Sequence, residues 1–341
     1  MSELSARRLA VVVVQYGIGV VAFAWLLTQV DLARVAGLLD AIDPMTILEL
    51  LVVTALGLLA RFYTWNVLIG RVQRPDLRAA AGTDLVVNFV NQLLPSRLSG
   101  RAAAPLVLRR RTGMTYPDAV AVAGVHTGLY AVLYGVGALA GVVLGVGQFS
   151  TGILLVLALS TALYFVAGAF VLFAGANMGA VDGVEGWLGG ALGHVPAIGE
   201  RLSEAVHSLP SFAEESAGRF RTLSSDPRVV LPYSAGFVGA MLLAPGLRVW
   251  LLLSSLGAGF QPAPLLPLYL VAAYSVTLLP LTPGGIGVSE ATATAVFVAL
   301  GVPAALIIPV VFVDRFLGVY LPALAGWYPS IQLDVAGLVA E

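Results

Sequence analysis

The chain has 341 residues, of which 59% are hydrophobic and 11% charged, and its mean hydropathy is +0.93. Soluble domains have roughly 25% charged residues, so this composition predicts a polytopic membrane protein. The net charge of −1 excludes a general electrostatic attraction to nucleic acid. The sequence contains no Cys and no Lys, which excludes disulfides, thiolate chemistry, Schiff bases and a Walker-type ATPase loop. Its three His residues are widely separated, so neither a metal site nor a cofactor is expected.

Apolar segments that are long enough to cross a bilayer, which needs about 20 residues, follow one another along the chain. They are residues 9–28, 44–69, 119–146, 152–174, 229–256 and 305–327, with two shorter segments at 265–281 and 286–300. Arg7 and Arg8 before the first segment leave a secretory signal peptide open as an alternative, but the long apolar run favours a span. We therefore expect an all-α transmembrane bundle that forms one membrane domain over residues 1–341.

Two segments rich in Pro and Gly interrupt these apolar runs. The first break covers residues 93–101, with the sequence LLPSRLSGR, and the second covers residues 278–287, with the sequence LLPLTPGGIG. A bilayer tolerates irregular backbone only where protein or a water-filled cavity surrounds it. Paired interruptions in the two halves of a chain are typical of a transporter's substrate site. The two breaks therefore predict where the functional site lies.

The distribution of arginine predicts the orientation in the membrane. Arginines precede the first span and follow the second at residues 71–78, which places the N-terminus and this loop in the cytoplasm. A re-entrant hairpin at the first break keeps the arginines at 109–111 cytoplasmic as well, whereas a full crossing would put them outside. The second break then enters from the opposite side, and the C-terminus is cytoplasmic. We expect two oppositely oriented broken hairpins, an inverted repeat, although two complete kinked spans are the alternative.

The stretch between the central hairpin and the later spans, residues 176–228, is predicted to be cytoplasmic. Apolar residues at helical spacing, among them Ile198, Leu202 and Val206, indicate an amphipathic helix on the membrane surface. Its acidic residues weaken the case for binding anionic lipid. A structural cover of the bundle is therefore favoured over a regulatory lipid sensor.

Charged residues inside predicted spans are candidates for function, because a charge at membrane depth costs about 2.5–3.5 kcal/mol on insertion scales. Arg61 lies near a span end, so snorkelling to the interface is favoured. Arg248 is deeper and predicts either an internal ion pair or a headgroup contact. Asp314 and Arg315 point about 100° apart on a helix, so at least one faces a partner or a cavity. Glu290 is a candidate partner for Arg315.

The breaks themselves supply the other candidate substrate-binding residues. An interrupted helix exposes free backbone N–H groups that attract anions. Near the first break, Gly100 is flanked by the guanidinium groups of Arg97 and Arg101, which suit phosphate; the alternative is that this Arg pair anchors the chain at the interface. The second break offers three glycines for close backbone approach and a carboxylate at the next helix start: Gly284, Gly285, Gly287 and Glu290. The alternative for this carboxylate is a simple helix-start residue.

These segments also carry a family resemblance. Residues 93–100 (LLPSRLSG), 108–113 (LRRRTG), 282–291 (TPGGIGVSEA), 314–316 (DRF) and 321–326 (LPALAG) resemble the flippase-like transmembrane region of lysylphosphatidylglycerol synthases. The resemblance implies a multi-pass protein of the cytoplasmic membrane that moves lipids, or a relative that acts on polyprenyl or glycolipid carriers. The chain departs from the family pattern at Arg101, where an acidic residue is common, and at His126-Thr127, where many members have Glu-Arg. The aminoacyl-transferase domain of some relatives is not expected here, so we expect no enzyme activity.

The sequence thus favours a flippase-like transporter for a lipid with an anionic headgroup, with Arg97, Arg101, Arg248, Asp314, Arg315 and the second break as its binding residues. Two alternatives stay open. One is an ion- or proton-coupled carrier of a small solute, in which Glu290 or Asp314 titrates. The other is a scaffold that partners a glycosyltransferase or another envelope-assembly protein.

Overall fold

A computed structural model describes residues 42–93, 103–177, 213–279 and 281–333, together with residues 37 and 101. Every regular element in these ranges is a helix, which confirms the all-α prediction. The predicted span at 9–28, most of the first break and most of the amphipathic segment lie outside the described residues. In that segment, residues 213–225 are helical.

The helices are numbered in chain order. They are α1 (Pro44–Val72), α2 (Leu77–Leu93), α3 (Ala104–Thr112), α4 (Tyr116–Gly145), α5 (Thr151–Ala176), α6 (213–225), α7 (Pro227–Phe237, a π-helical turn Val238–Leu243, then Ala244–Ser255), α8 (Leu266–Tyr274, with 3₁₀ turns Ala263–Leu265 and Ser275–Leu278), α9 (Val288–Ala299) and α10 (Ala304–Arg315, a π-helical turn Phe316–Tyr320, then Leu321–Gln332).

Five helices in the described ranges are long and apolar enough to cross a membrane, namely α1, α4, α5, α7 and α10. They confirm the predicted spans from residue 44 onwards to within a few residues. Local sequence explains where they begin, because the side chains of Asp43, Thr115, Ser150 and Asp226 accept backbone N–H bonds in the first turns of α1, α4, α5 and α7. The second break lies between the shorter helices α8 and α9, as predicted.

The bundle is held by close helix contacts in which small residues admit neighbouring backbone. The helices α4 and α5 form a packed hairpin, α8 lies against α4, and the C-terminal part of α10 lies against α2. Gly141 of α4 touches the backbone of Leu268, and Gly326 of α10 touches the backbone of Leu85. A Cβ atom at either glycine would overlap these atoms. The packing brings α1, α2, α4, α7, α8 and α10 around one interior space.

Candidate functional site

A polar cavity lies inside the bundle and is bordered by four of the five long apolar helices, α1, α4, α7 and α10, together with α2 and α8. Its volume is about 110 Å³, against roughly 10–15 Å³ for one water on the same measure, so it can hold several waters or a phosphate group. The charged residues that line it are Arg61, Asp84, Arg101, Arg248, Asp314 and Arg315. Because such charges are costly inside a membrane, their arrangement identifies this cavity as the candidate site.

Two buried ion pairs connect neighbouring helices that line the cavity. Arg61 of α1 lies with Nη2 2.6 Å and Nε 2.7 Å from Oδ2 of Asp84 on α2. Arg248 of α7 lies with Nη2 2.7 Å and Nε 2.8 Å from Oδ1 of Asp314 on α10. The other carboxylate oxygen of Asp314 accepts a hydrogen bond of 2.9 Å from the Tyr274 hydroxyl. Each guanidinium is thus neutralised by one carboxylate.

A third ion pair joins the first turn of α9, just after the second break, to α10. Arg315 donates from Nε to Oε1 of Glu290 over 3.1 Å, and the Tyr320 hydroxyl donates to the same oxygen. The other oxygen, Oε2, accepts the backbone N–H of Gly287 over 2.7 Å, so Glu290 also caps the first turn of α9. This contact confirms the partner predicted for Arg315. It also means that Glu290 is both a helix-start carboxylate and part of the charged network.

Arg101 differs from the other cavity arginines. The residue is 8% exposed, and its guanidinium carbon lies 3.6 Å from the ring centroid of Tyr130. The Nε and Nη1 atoms are buried without a hydrogen-bond partner, and no carboxylate of the described ranges lies within ion-pair distance. A buried donor without an acceptor is costly, more so when it is charged. The site therefore contains a guanidinium that is available to an anion.

Aromatic side chains form the wall beside Arg101. The indole of Trp65 stacks on the His126 ring at 3.7 Å between centroids, and Tyr130 stacks on Tyr134 at 5.5 Å. The hydroxyl of Tyr233 donates to the His126 carbonyl over 3.0 Å and lies 3.1 Å from Nδ1 of the same residue. His126, where the chain departs from the family that it resembles, thus lies in the cavity wall. It supplies an aromatic ring there in place of the carboxylate of the Glu-Arg pair.

Both π-helical turns border the cavity, and one of them supplies backbone acceptors. A π turn changes the hydrogen-bond register of a helix and is frequent at functional sites. In the turn of α10, the Gly318 carbonyl accepts from Arg61 Nη1 over 3.3 Å, and the Val319 carbonyl accepts from Asn88 Nδ2 over 3.1 Å. Gly318 also leaves room for Arg248, whose Nη2 would lie 2.5 Å from a Cβ atom there. The turn therefore fixes two of the four arginines.

The structure brings together most of the predicted site residues that it describes. Arg101, Arg248, Asp314 and Arg315 line one cavity, and Glu290 joins it through Arg315. The three glycines of the second break have φ angles between +61° and +82° and lie at Gly284, Gly285 and Gly287, beside the cavity rather than in its lining. Arg97 and Gly100 lie outside the described residues.

The second break also meets the start of the first. The glycine loop packs against α2, and a Cβ atom at Gly284 would overlap the side chain of Gln92, in the last turn of α2 immediately before the first break. Both Gln92 amide atoms are buried without a hydrogen-bond partner. The end of α2 and the glycine loop of the second break are therefore neighbours.

Sequence reasoning was wrong about Arg61 and overlooked several lining residues. The Arg61 side chain is 12% exposed and paired with Asp84, so it does not snorkel to the interface. The reason is that α2 packs against α1 and presents a carboxylate at that depth. The aromatic wall was also missed, although His126, Tyr130 and Tyr134 recur at every fourth residue of α4, a spacing that places them on one helix face.

The apolar spans around a charged cavity define a multi-pass membrane protein with a polar interior. Residues 9–326 match the family described as the lysylphosphatidylglycerol synthase TM region, and the chain belongs to this family. It is also similar to a protein of Pyrococcus horikoshii described as a UPF0104 membrane protein, with 31% identity over 129 residues, which is 38% of this chain and 36% of that relative. No solved structure matches the chain.

Proposed function

We propose that this protein is a flippase-like transporter that moves a lipid with an anionic headgroup between the leaflets of the cell membrane. The substrate class includes anionic phospholipids and polyprenyl or glycolipid carriers. One observation carries the proposal: Arg101 lines a polar cavity among four apolar spans, and two of its guanidinium nitrogens are buried without a hydrogen-bond partner. Membership of a family whose description refers to a lipid synthase supports the lipid assignment.

The chemistry of Arg101 suits a phosphate group. A guanidinium presents several N–H donors in a plane and stays charged at all accessible pH values. Tyr130 covers one face of that plane, which leaves the in-plane donors Nε and Nη1 for a ligand. The headgroup would occupy the cavity while its acyl chains stay in the lipid. A lipid phosphate would thus supply the acceptor that these donors lack.

The second break would guide the headgroup along its path. Glu290 holds Arg315 and the first turn of α9 together, and Arg315 also lines the cavity. The Nη2 atom of Arg315 is buried without a hydrogen-bond partner in the described structure, so it offers a further donor. In this proposal the phosphate is bound at Arg101 and passed towards Arg315 and the glycine loop. No covalent chemistry and no cofactor are involved.

The direct test is translocation of a headgroup-labelled lipid in liposomes that contain the purified full chain. We expect Arg101→Ala to lower the rate by about tenfold or more, because charged hydrogen bonds contribute about 1.5–3 kcal/mol. Glu290→Gln should also lower the translocation rate, because the start of α9 loses its ion pair with Arg315 of α10. Arg74→Ala is the matched control, since Arg74 is exposed and outside the cavity. Wild-type rates in both site variants would refute the proposed site.

Other outcomes would favour the two remaining functions. Proton-dependent uptake of a solute without lipid translocation would indicate a carrier in which Glu290 or Asp314 titrates. Inactivity in both assays, with stable co-purification of a glycosyltransferase, would indicate a scaffold.

Orientation can be tested separately, because the sequence has no native Cys. Labelling of Arg74→Cys and Arg109→Cys from the cytoplasmic side alone is expected for a re-entrant first hairpin, and labelling from opposite sides would contradict it.

A further inference from the structure

The charges of the cavity specify more than an anionic ligand. We infer that the site selects a headgroup with one net negative charge, an unmodified phosphodiester, over phosphomonoesters, diphosphates and aminoacylated headgroups. This inference rests on the proposed function and narrows its substrate class. It follows from how the described arginines are paired.

Of the four arginines that line the cavity in the described ranges, three are already neutralised. Arg61, Arg248 and Arg315 each have one carboxylate partner, at 2.6 Å, 2.7 Å and 3.1 Å respectively. The fourth, Arg101, has an aromatic partner and no carboxylate among the residues that the structure describes. Within the described residues, four guanidinium groups and three carboxylates give this network a formal charge of +1. One negative charge on a ligand makes the whole assembly neutral.

A second negative charge on the ligand would need a second arginine as its partner. The other arginines of the network are bound to carboxylates, and separating them from these carboxylates is costly. The ligand would have to displace Asp84 from Arg61 or Asp314 from Arg248. The displaced carboxylate would then be buried and unpaired, because the side chains of Asp84 and Asp314 are only 9% and 2% exposed. Removing one partner of a buried pair is strongly unfavourable, because the remaining charge stays buried without compensation. Lipids with a terminal phosphate or a diphosphate are therefore disfavoured.

Headgroups with added amino groups are disfavoured because their positive charge lacks a free carboxylate partner in this network. Lysylation of phosphatidylglycerol adds two amino groups to one phosphodiester, so the product is cationic when both are protonated. Such a headgroup needs a free carboxylate, and every carboxylate of the network already binds an arginine. The lysylated lipid in the family's description is thus a poorer match to this cavity than unmodified phosphatidylglycerol.

The test is lipid binding to the purified full chain in detergent, measured by native mass spectrometry at about pH 8, where a phosphomonoester carries close to two negative charges. The four probes have identical acyl chains: phosphatidylglycerol, phosphatidate, phosphatidylethanolamine and lysylphosphatidylglycerol. We expect wild type to bind phosphatidylglycerol at least about tenfold more tightly than the other three. Arg101→Gln should remove this preference, whereas the matched control Arg74→Gln should keep it.

A variant that raises the positive charge of the network gives the sharper test. Asp84→Asn frees Arg61 and raises the formal charge by one unit, so the preference should shift from phosphatidylglycerol towards phosphatidate. Misfolding cannot produce a gain of this kind. If Asp84→Asn does not purify as a monodisperse species, Glu290→Gln makes the same change of charge through Arg315.

Two results would overturn the inference: wild type that binds phosphatidate or lysylphosphatidylglycerol as tightly as phosphatidylglycerol, or Arg101→Gln that behaves like Arg74→Gln. The binding result is independent of transport. Translocation without the preference would leave the proposed function intact and refute the charge match. The preference without translocation would refute the transporter and retain the binding site.

Discussion

Arg101 and Arg315 are buried arginines of the same cavity, but their surroundings differ. Arg315 is 1% exposed, bonds to Glu290, and lies 5.2 Å and 5.5 Å from the ring centroids of Tyr274 and Tyr320. Arg101 has the ring of Tyr130 and two nitrogens without an acceptor. Arg315, whose charge is neutralised by a carboxylate, connects elements of the fold. Arg101, which has no carboxylate partner among the described residues, is free to bind a ligand. Stability and binding should therefore depend on different arginines.

The largest loss of stability is expected at the ion pair that is most deeply buried. Asp314→Asn leaves Arg248 without its carboxylate and weakens the bond from Tyr274. We expect the free energy of unfolding to fall by about 3–5 kcal/mol, as for other broken buried pairs. The measurement is denaturant unfolding in detergent micelles. Glu215→Gln, an exposed carboxylate of α6, is the control, and a change at Asp314 no greater than at this control would contradict the prediction.

A smaller loss is expected at the start of α9. Glu290→Gln keeps the size of the side chain but removes the charge that Arg315 and Tyr320 share, so unfolding should become easier by about 2–3 kcal/mol. Tyr320→Phe removes one donor to the same oxygen. In a double-mutant cycle the two changes should be non-additive, because both act on Glu290. Strict additivity would show that the three residues do not form one network.

The glycine loop offers a matched pair with a still smaller effect. Gly285 and Gly287 have φ angles of +73° and +82°, so Ala at either position is strained by about 1–2 kcal/mol. At Gly285 a Cβ atom would also lie 2.8 Å from Cγ2 of the buried Thr277, whereas at Gly287 nothing lies within 4 Å. Gly285→Ala should therefore be more destabilising than Gly287→Ala by thermal unfolding. Equal melting temperatures would contradict the close packing of this loop.

Much of the fold was predictable from the sequence because it depends on local signals. Apolar length located the spans, and capping residues such as Asp43 and Ser150 explain their starts. The second break was predictable because Pro and Gly at 280–287 cannot continue a helix without cost. The pair between Glu290 and Arg315 was a hypothesis that the structure confirmed.

The cavity was only partly predictable, because its pairs connect residues that are distant in sequence. The partner of Arg61 lies 23 residues away on α2, and the partner of Arg248 lies 66 residues away on α10. Such pairs depend on which helices become neighbours, and helix amphipathicity does not specify neighbours. The stacking of Arg101 on Tyr130 could not be foreseen either. The depth of an arginine in the membrane predicts only whether its guanidinium is exposed or paired, not which ring it stacks on.

The smallest effect on stability, and the most informative, is expected for Arg101→Gln. Removing this guanidinium deletes a buried charge that no carboxylate of the described residues neutralises, so the free energy of unfolding should change by less than about 1 kcal/mol or rise. The same variant should lose lipid binding and translocation. Unfolding and binding measured on one preparation would then separate Arg101 from Asp314, whose substitution should give the largest loss of stability. A large loss of stability in Arg101→Gln would mean that the cation–π contact with Tyr130 is structural, and the distinction between a binding arginine and the three paired ones would fail.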